Sequence, residues 1–333
     1  MTLRLGSLLA LVGLLAGVAS AAPAHAAGYS AGTDYFSFRD DQIVESSGVV
    51  ASSKRDDVFF THNDSGDLAR FFAVDDHGCT LARYALGGLT TPVDEFKASH
   101  DVEDIARGPH DGTSTLWLAD IGDNLHQRVE IDVYAVPEPN SNASAGRSST
   151  GCPTAAEEVV AATTYRLKYA DVAHDAETLL ADPHTGQLFI VTKEPTGESQ
   201  LYAAPPTLDP NVVNTLTPVA EIAYPPSTTY DRTPDQIVGA GPEQLGFDAA
   251  GRLWAVGGDV SPSGDRVVIR TYTDAYEWAI PAAGLAGAFT AVPTKIPLRY
   301  QKQGEAIAYT RDGRSLVTTC EGGGCTAHRY AGS

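Results

Sequence analysis

One short pattern recurs along this chain, and a recurring unit constrains a fold more tightly than composition does. In its clearest copy Glu177 opens a small-apolar run at 178–181. A turn follows, Asp182-Pro183-His184-Thr185-Gly186, and a wholly apolar run at 188–191 leads to Glu194. Glu45 likewise opens 46–50, answered by Val58-Phe59-Phe60 running to Asn63-Asp64. Glu103 opens 104–106, answered by Leu116-Trp117-Leu118 running to Asp120. Asp259 opens 260–262, answered by Val267-Val268-Ile269 running to Arg270. Glu305 opens 306–308, answered by Leu316-Val317 running to Cys320-Glu321. The reading is five copies of one antiparallel hairpin, each with an acid at its mouth.

Two further strand-like stretches follow each hairpin: 69–74 and 80–86, then 129–136 and 164–169, then 200–204 and 218–224, then 276–280 and 291–298. The fifth copy has only 327–330. Its missing outer strand is available at the other terminus, in Tyr35-Phe36-Ser37-Phe38. Completing the last unit with a strand from the opposite end removes exposed edges, which is how a β-propeller closes. The expectation is therefore an all-β fold: a β-propeller of five blades, each of four antiparallel strands, closed by an N-terminal strand. Residues 244–256 could form a hairpin of their own, which would make six blades. A single domain is expected over 27–333, with 139–158, rich in Ser, Asn, Ala and Gly, as a surface insertion tethered at Cys152.

Residues 1–26 read as a signal peptide rather than as fold. Arg4 supplies the charged start, 8–18 is too short an apolar run to span a bilayer, and Ala24-His25-Ala26 fits a cleavage site. Export near Ala27 is the expectation, and in an oxidising compartment four cysteines read as two disulfides. Cys320 and Cys325 flank a short loop, which leaves Cys79 for Cys152. The formal charge of −19 disfavours nucleic acid and anionic membrane as partners, since both are bound through Lys and Arg. A monomer acting on a small molecule or another extracellular ligand is expected.

In each hairpin the second strand ends beside the start of the first. Radial assembly would therefore gather the acids around one end of a central channel. Glu45, Asp64, Glu103, Asp104, Asp120, Glu177, Asp259 and Glu305 are the candidate metal ligands, with Ca²⁺ the expected ion for oxygen donors. Crowded carboxylates can also share protons and do acid–base work, or be neutralised by Lys193, Arg270 or Arg128. Equally, each acid could bind backbone N–H groups of the next blade as a cap. The motif His-Asp-Xaa-Glu occurs twice, as His100-Asp101-Val102-Glu103 and His174-Asp175-Ala176-Glu177. Residues two apart share a face of a strand, so each motif offers paired oxygens beside a proton carrier. His174, Glu177 and Glu103 are the candidate catalytic groups. Two turns, Asn63-Asp64-Ser65-Gly66-Asp67 and Asp120-Ile121-Gly122-Asp123-Asn124, are rich in side-chain oxygens and read as Asx turns or weak calcium loops. The nucleophile elbow, phosphate-cradling glycine loop and zinc-helix motif are absent from the sequence.

The segments Asp101-Val102-Glu103-Asp104-Ile105-Ala106, Leu118-Ala119-Asp120-Ile121-Gly122-Asp123-Asn124, His174-Asp175-Ala176-Glu177 and Gly304-Glu305-Ala306-Ile307-Ala308 resemble those of poorly characterised secreted actinobacterial β-propellers. More loosely, they are similar to the propeller domain called "esterase-like activity of phytase" and to calcium-dependent lactonase propellers. The looser likeness implies calcium-assisted hydrolysis of an ester, lactone or phosphoester at the channel mouth. Carried onto this chain, it touches Glu45, Glu103, Glu177, Asp259 and Glu305. The sequence shows no cluster of Lys and Arg of the kind a polyphosphate substrate needs.

Overall fold

Alternating apolar residues in a strand can serve two neighbours at once, one on each face, and the second strand of each hairpin does so here. In the first hairpin, Val58 and Phe60 pack toward one neighbouring unit and Phe59 toward the other. The computed structural model describes residues 28–89, 100–141, 151–194, 196–225 and 253–332. The signal segment, 142–150 of the insertion and 244–252 of the extra hairpin lie outside the described residues.

Strand β1 (Thr33–Ser37) precedes the first unit, which comprises β2 (Ser46–Ala51), β3 (Val58–Asn63), β4 (Arg70–Asp75) and β5 (Thr80–Gly87). The second unit is β6 (Val102–His110), β7 (Thr113–Asp120), β8 (Ile131–Pro137) and, after β9 (Ala156–Ala161), β10 (Thr163–Tyr169). The third is β11 (Ala176–Ala181), β12 (Leu188–Thr192), β13 (Glu198–Ala203) and β14 (Asn214–Ala223). The fourth is β15 (Ala255–Val260), β16 (Arg266–Thr271), β17 (Asp274–Ala279) and β18 (Thr294–Pro297). The last has β19 (Gly304–Tyr309), β20 (Ser315–Cys320) and β21 (Thr326–Ala331), and β1 pairs antiparallel with β21 to complete it.

The first strands of the units stand side by side in the order β2, β6, β11, β15, β19, and β19 returns to β2. Each gap between neighbouring units is filled by its own apolar cluster. Phe60 and Tyr84 meet Leu118, Trp117 meets Leu179, and Leu180 meets Trp278. Ile296 meets Tyr309, and Val317 meets Phe59. The chain is a β-propeller. A buried hydrogen-bond cluster adds to its closure: Tyr29 and Tyr309 both donate to Glu277 Oε1, at 2.6 and 2.7 Å, with Arg266 alongside. Removing one donor to a buried carboxylate costs about 1–3 kcal/mol. Tyr309→Phe should lower unfolding stability by that amount in urea titrations, and an unchanged midpoint would count against the cluster as a fastener.

Two features depart from the sequence reading. Part of the expected insertion is strand β9, whose Ala156 to Ala161 run pairs in parallel with β5. The Cys79–Cys152 disulfide fastens its approach to the first unit, while Cys320–Cys325 closes the short loop. The fourth unit, moreover, begins before Asp259. Gly257 and Gly258 lie inside β15, where a Cβ on Gly257 would stand 2.5 Å from the Glu305 carbonyl oxygen. Close approach of neighbouring first strands demands glycine there, so Asp259 sits toward the far end of its strand rather than opening it.

Candidate functional site

Every first strand begins with a register shift against its partner: between Ser46 and Val49, Val102 and Asp104, Ala176 and Thr178, Ala255 and Gly257, and Gly304 and Ile307. A β-bulge re-aims the side chain it carries. The bulged positions hold Ser47, Glu103, Glu177, Val256 and Glu305. The chain leaves each second strand at Asp64, Ile121, Lys193, Tyr272 and Glu321. Asp64, Ile121, Lys193 and Glu321 give their N–H groups to the carbonyls of Glu45, Asp101, Asp175 and Gln303. These two sets of positions meet at one end of the channel.

The acids they bring together are Asp64, Glu103, Glu177, Glu305 and Glu321, with Asp101 beside them. Asp64, Asp101 and Glu103 hold ligand oxygens within 4.8 Å of one another. A Cβ on Gly122 would lie 2.4 Å from both Asp101 Oδ2 and Glu103 Oε1, so only glycine lets the two carboxylates lie so near this backbone. Burial raises Asp64 to about 7, and the charges of Asp101, Glu321 and Glu45 add to the rise. Glu103 is raised well above the carboxylate range, by burial and then by Glu177 and Asp64. Burial likewise raises Asp101, with Asp120 adding to it.

Across the channel, Lys193 pairs with Glu177 Oε1. Burial holds Glu177 up at about 7 against the pull of the lysine. Burial alone would push the Lys193 ammonium down, but Glu177 carries it above its usual value. The ammonium lies 5.7 Å from the Trp254 ring and 5.8 Å from that of Tyr272. Glu177 Oε2 is buried and has no hydrogen-bond partner among the described residues. Glu305 is raised well above its usual range by burial, then by Glu177 and Glu321. It lies within hydrogen-bonding reach of Glu321, a contact that requires a proton between the two carboxylates.

The other candidates lie elsewhere. Asp104 accepts the Leu179 N–H, and Asp259 the Tyr309 N–H, both at 2.8 Å. They are caps on the next unit's first strand, as the alternative reading had it. Asp120 is fully buried, bound by the Asp101 N–H, Arg128 and the Tyr134 hydroxyl. Glu45 pairs by its backbone with Glu321 and adds its charge at the rim. His174 is held by Glu194 at 3.1 Å, Asp171 at 3.2 Å and the Tyr202 hydroxyl at 2.7 Å, contacts that turn it away from Glu177. Arg270 is buried, bonding the Ala306 and Thr319 carbonyls and Gln301 between the fourth and last units. Sequence reasoning left Tyr272 and Trp254 out of the site. Aligning the ends of the second strands, rather than the acids, would have found the first.

What fold and site together define is a β-propeller with a carboxylate-rich mouth to its channel. The sequence matches no family model and no curated protein. Among solved structures the chain is similar to the WD40 repeats of RRP9, at 10% identity and a TM-score of 0.43, covering 92% of this chain and 100% of that one. It is also similar to XC5397 from Xanthomonas campestris, described as a gluconolactonase, at 14% identity and a TM-score of 0.41, covering 88% of each chain. Both are likenesses of overall outline.

Proposed function

We propose that this is an exported, five-bladed propeller that binds a divalent cation at its channel mouth and there hydrolyses a small ester, lactone or phosphoester. Export is supported by the two disulfides, which suit an oxidising compartment. The five-blade count is supported by the cyclic order of the first strands among the described residues.

One observation carries the cation reading. A buried carboxylate oxygen, Glu177 Oε2, has no hydrogen-bond partner among the described residues, and it belongs to a mouth where Lys193 is paired with Glu177 while Glu103 and Glu305 crowd the same carboxylate. Buried polar atoms are ordinarily satisfied, and like charges at such distances require compensation. Asp64, Asp101 and Glu103 are the ligand set with oxygens near enough to share an ion, and hard oxygen donors favour Ca²⁺. A bound Ca²⁺ would polarise a carbonyl or phosphoryl oxygen. The chain's own residues supply the rest. The Glu305–Glu321 pair holds a transferable proton, Lys193 fixes the charge of Glu177, and Tyr272 screens the acids from the side. Binding without turnover is the second reading. It is favoured by the position of His174, whose two ring nitrogens are taken up by Glu194, Asp171 and the Tyr202 hydroxyl rather than by the mouth acids.

Calcium should raise the melting temperature of the wild-type protein, and a chelator should reverse the rise, because a ligand specific for the native state stabilises it by mass action. Glu103→Gln should abolish the shift while leaving calcium-free stability equal or higher, since burial already favours a neutral group at that position. An identical melting curve with and without calcium would remove the cation site. Turnover of chromogenic esters, lactones or phosphoesters then separates hydrolase from binder.

A further inference from the structure

The loop that follows β7 and the end of β10 enclose a hollow of about 180 Å³ outside the group of mouth acids. One side is Arg128 and Val129, and the other is Lys168, Tyr169, Asp171 and Val172. Its floor is aromatic. Tyr169 is buried, and its ring meets those of His174 and Tyr202 edge-on, at 5.0 and 4.8 Å. Its rim is apolar. Val129 is 71% exposed and Val172 65%, and Leu125, on the same loop as Val129, is 74% exposed. A lone exposed valine is ordinary, but exposed apolar side chains gathered around a hollow mark a binding surface.

Three charged side chains border the hollow, and they differ in what they have left to offer. Asp171 is spent: its Oδ2 accepts the Tyr202 hydroxyl at 2.7 Å and lies 3.2 Å from His174 Nε2. Arg128 commits Nη1 to Asp120 and to the Gly122 carbonyl. That fixes the guanidinium and leaves Nε and Nη2 without a hydrogen bond among the described residues. Lys168 is exposed on β10 and has no ion-pair partner among the described residues. In a chain of formal charge −19, the donors left unanswered at this hollow are cationic.

We propose that this hollow captures the C-terminal carboxylate of a peptide whose last side chain is apolar. Lys168 and the open edge of Arg128 receive the carboxylate, and a carboxylate held by cationic donors makes the stronger kind of hydrogen bond. Tyr169, Val129 and Val172 cover the last side chain. The hollow is on the scale of one residue, while the exposed rim continues past it to Leu125, which favours a chain end over a small free acid. The mouth acids would repel the same carboxylate, so this site stands apart from the cation reading of the channel.

The test is a calorimetric titration of the full-length protein, in chelator, with the peptide acetyl-Ala-Ala-Leu carrying a free carboxylate. The free-acid peptide should bind, and its C-terminal amide should bind about tenfold more weakly or worse, the scale of losing a charge-assisted hydrogen bond. Lys168→Gln should weaken the free acid about tenfold, and Lys168→Arg should retain most of the affinity. Both positions of the test lie on the surface, and the calcium response of the melting temperature should be the same in Lys168→Gln as in the parent, so a failure here is read separately from a failure at the mouth. Absence of binding by the free acid, equal binding of the amide, or an unchanged affinity in Lys168→Gln would each overturn the proposal. So would 4-methylpentanoate binding as tightly as the peptide, since the rim would then contribute nothing.

Discussion

Lys193→Met is expected to destabilise the protein by about 3–5 kcal/mol at pH 8, the size of effect found when one partner of a buried ion pair is removed. Both side chains of the pair are largely buried, Lys193 at 13% exposure and Glu177 at 7%. Methionine keeps the aliphatic packing against Trp254 and Tyr272 and takes away only the charge. Glu177 then faces Glu103 and Glu305 with both oxygens unpaired. Two controls assign the loss to charge. Adding Glu177→Gln to the lysine variant should recover most of the stability, because a neutral amide does not need the counter-ion. The defect should also shrink at pH 5, where burial leaves Glu177 protonated. Urea denaturation of the four proteins of the cycle measures it. Additive effects of the two substitutions would mean that the lysine and the glutamate do not depend on each other.

Much of this architecture was legible because its signals are local. Short apolar runs at regular spacing specify hairpins, and the shortfall at the C-terminus matched by Tyr35-Phe36 at the N-terminus specifies closure, which the β1–β21 pairing realises. The mouth was legible only in part, because its geometry turns on a bulge. A register shift of one residue changes which side chain faces the channel, and nothing in the identity of Glu45 or Asp259 reveals on which side of that shift it falls. Glu103, Glu177 and Glu305 sit on the bulge and reach the channel. Glu45 lies two residues ahead of the equivalent position, Ser47, and Asp259 lies three beyond Val256. A neighbouring strand decides the role of Asp104 and Asp259, since each caps the next unit, and that neighbour is remote in sequence. His174 shows the same limit. Asp171 lies three residues before it on the same connection, but Glu194, just after β12, and Tyr202, within β13, reach it only through the folded sheet.

Without calcium, the stability of the protein should fall as the pH rises from about 4 to about 7, which is opposite to the usual behaviour of acid-sensitive proteins. The cause is that folding raises the affinity of its buried carboxyls for protons. Asp64 and Glu177 are held at about 7, and so is Asp259, buried against the next unit despite two backbone N–H bonds. Glu103, Glu305 and Asp104 are shifted in the same direction by burial. In the unfolded chain these groups ionise near 4. Between the two values the native state binds more protons than the unfolded state, so each such group lowers the unfolding free energy by about 1.4 kcal/mol per pH unit. The stabilisation is complete below the unfolded value and is lost once the pH has passed the folded one. At the proposed site, calcium held by Asp64, Asp101 and Glu103 would require their ionised forms, so its stabilising effect should grow over the same interval. Melting curves from pH 4.5 to 8 should therefore descend in chelator and flatten in calcium. Asp259→Asn should keep the calcium response while reducing the pH slope, because that side chain lies outside the ligand set, whereas Glu103→Gln should reduce both. A chelated protein that gains stability toward pH 8 would show that the mouth acids are ionised and compensated within the protein itself, and the case for a cation there would fall with it.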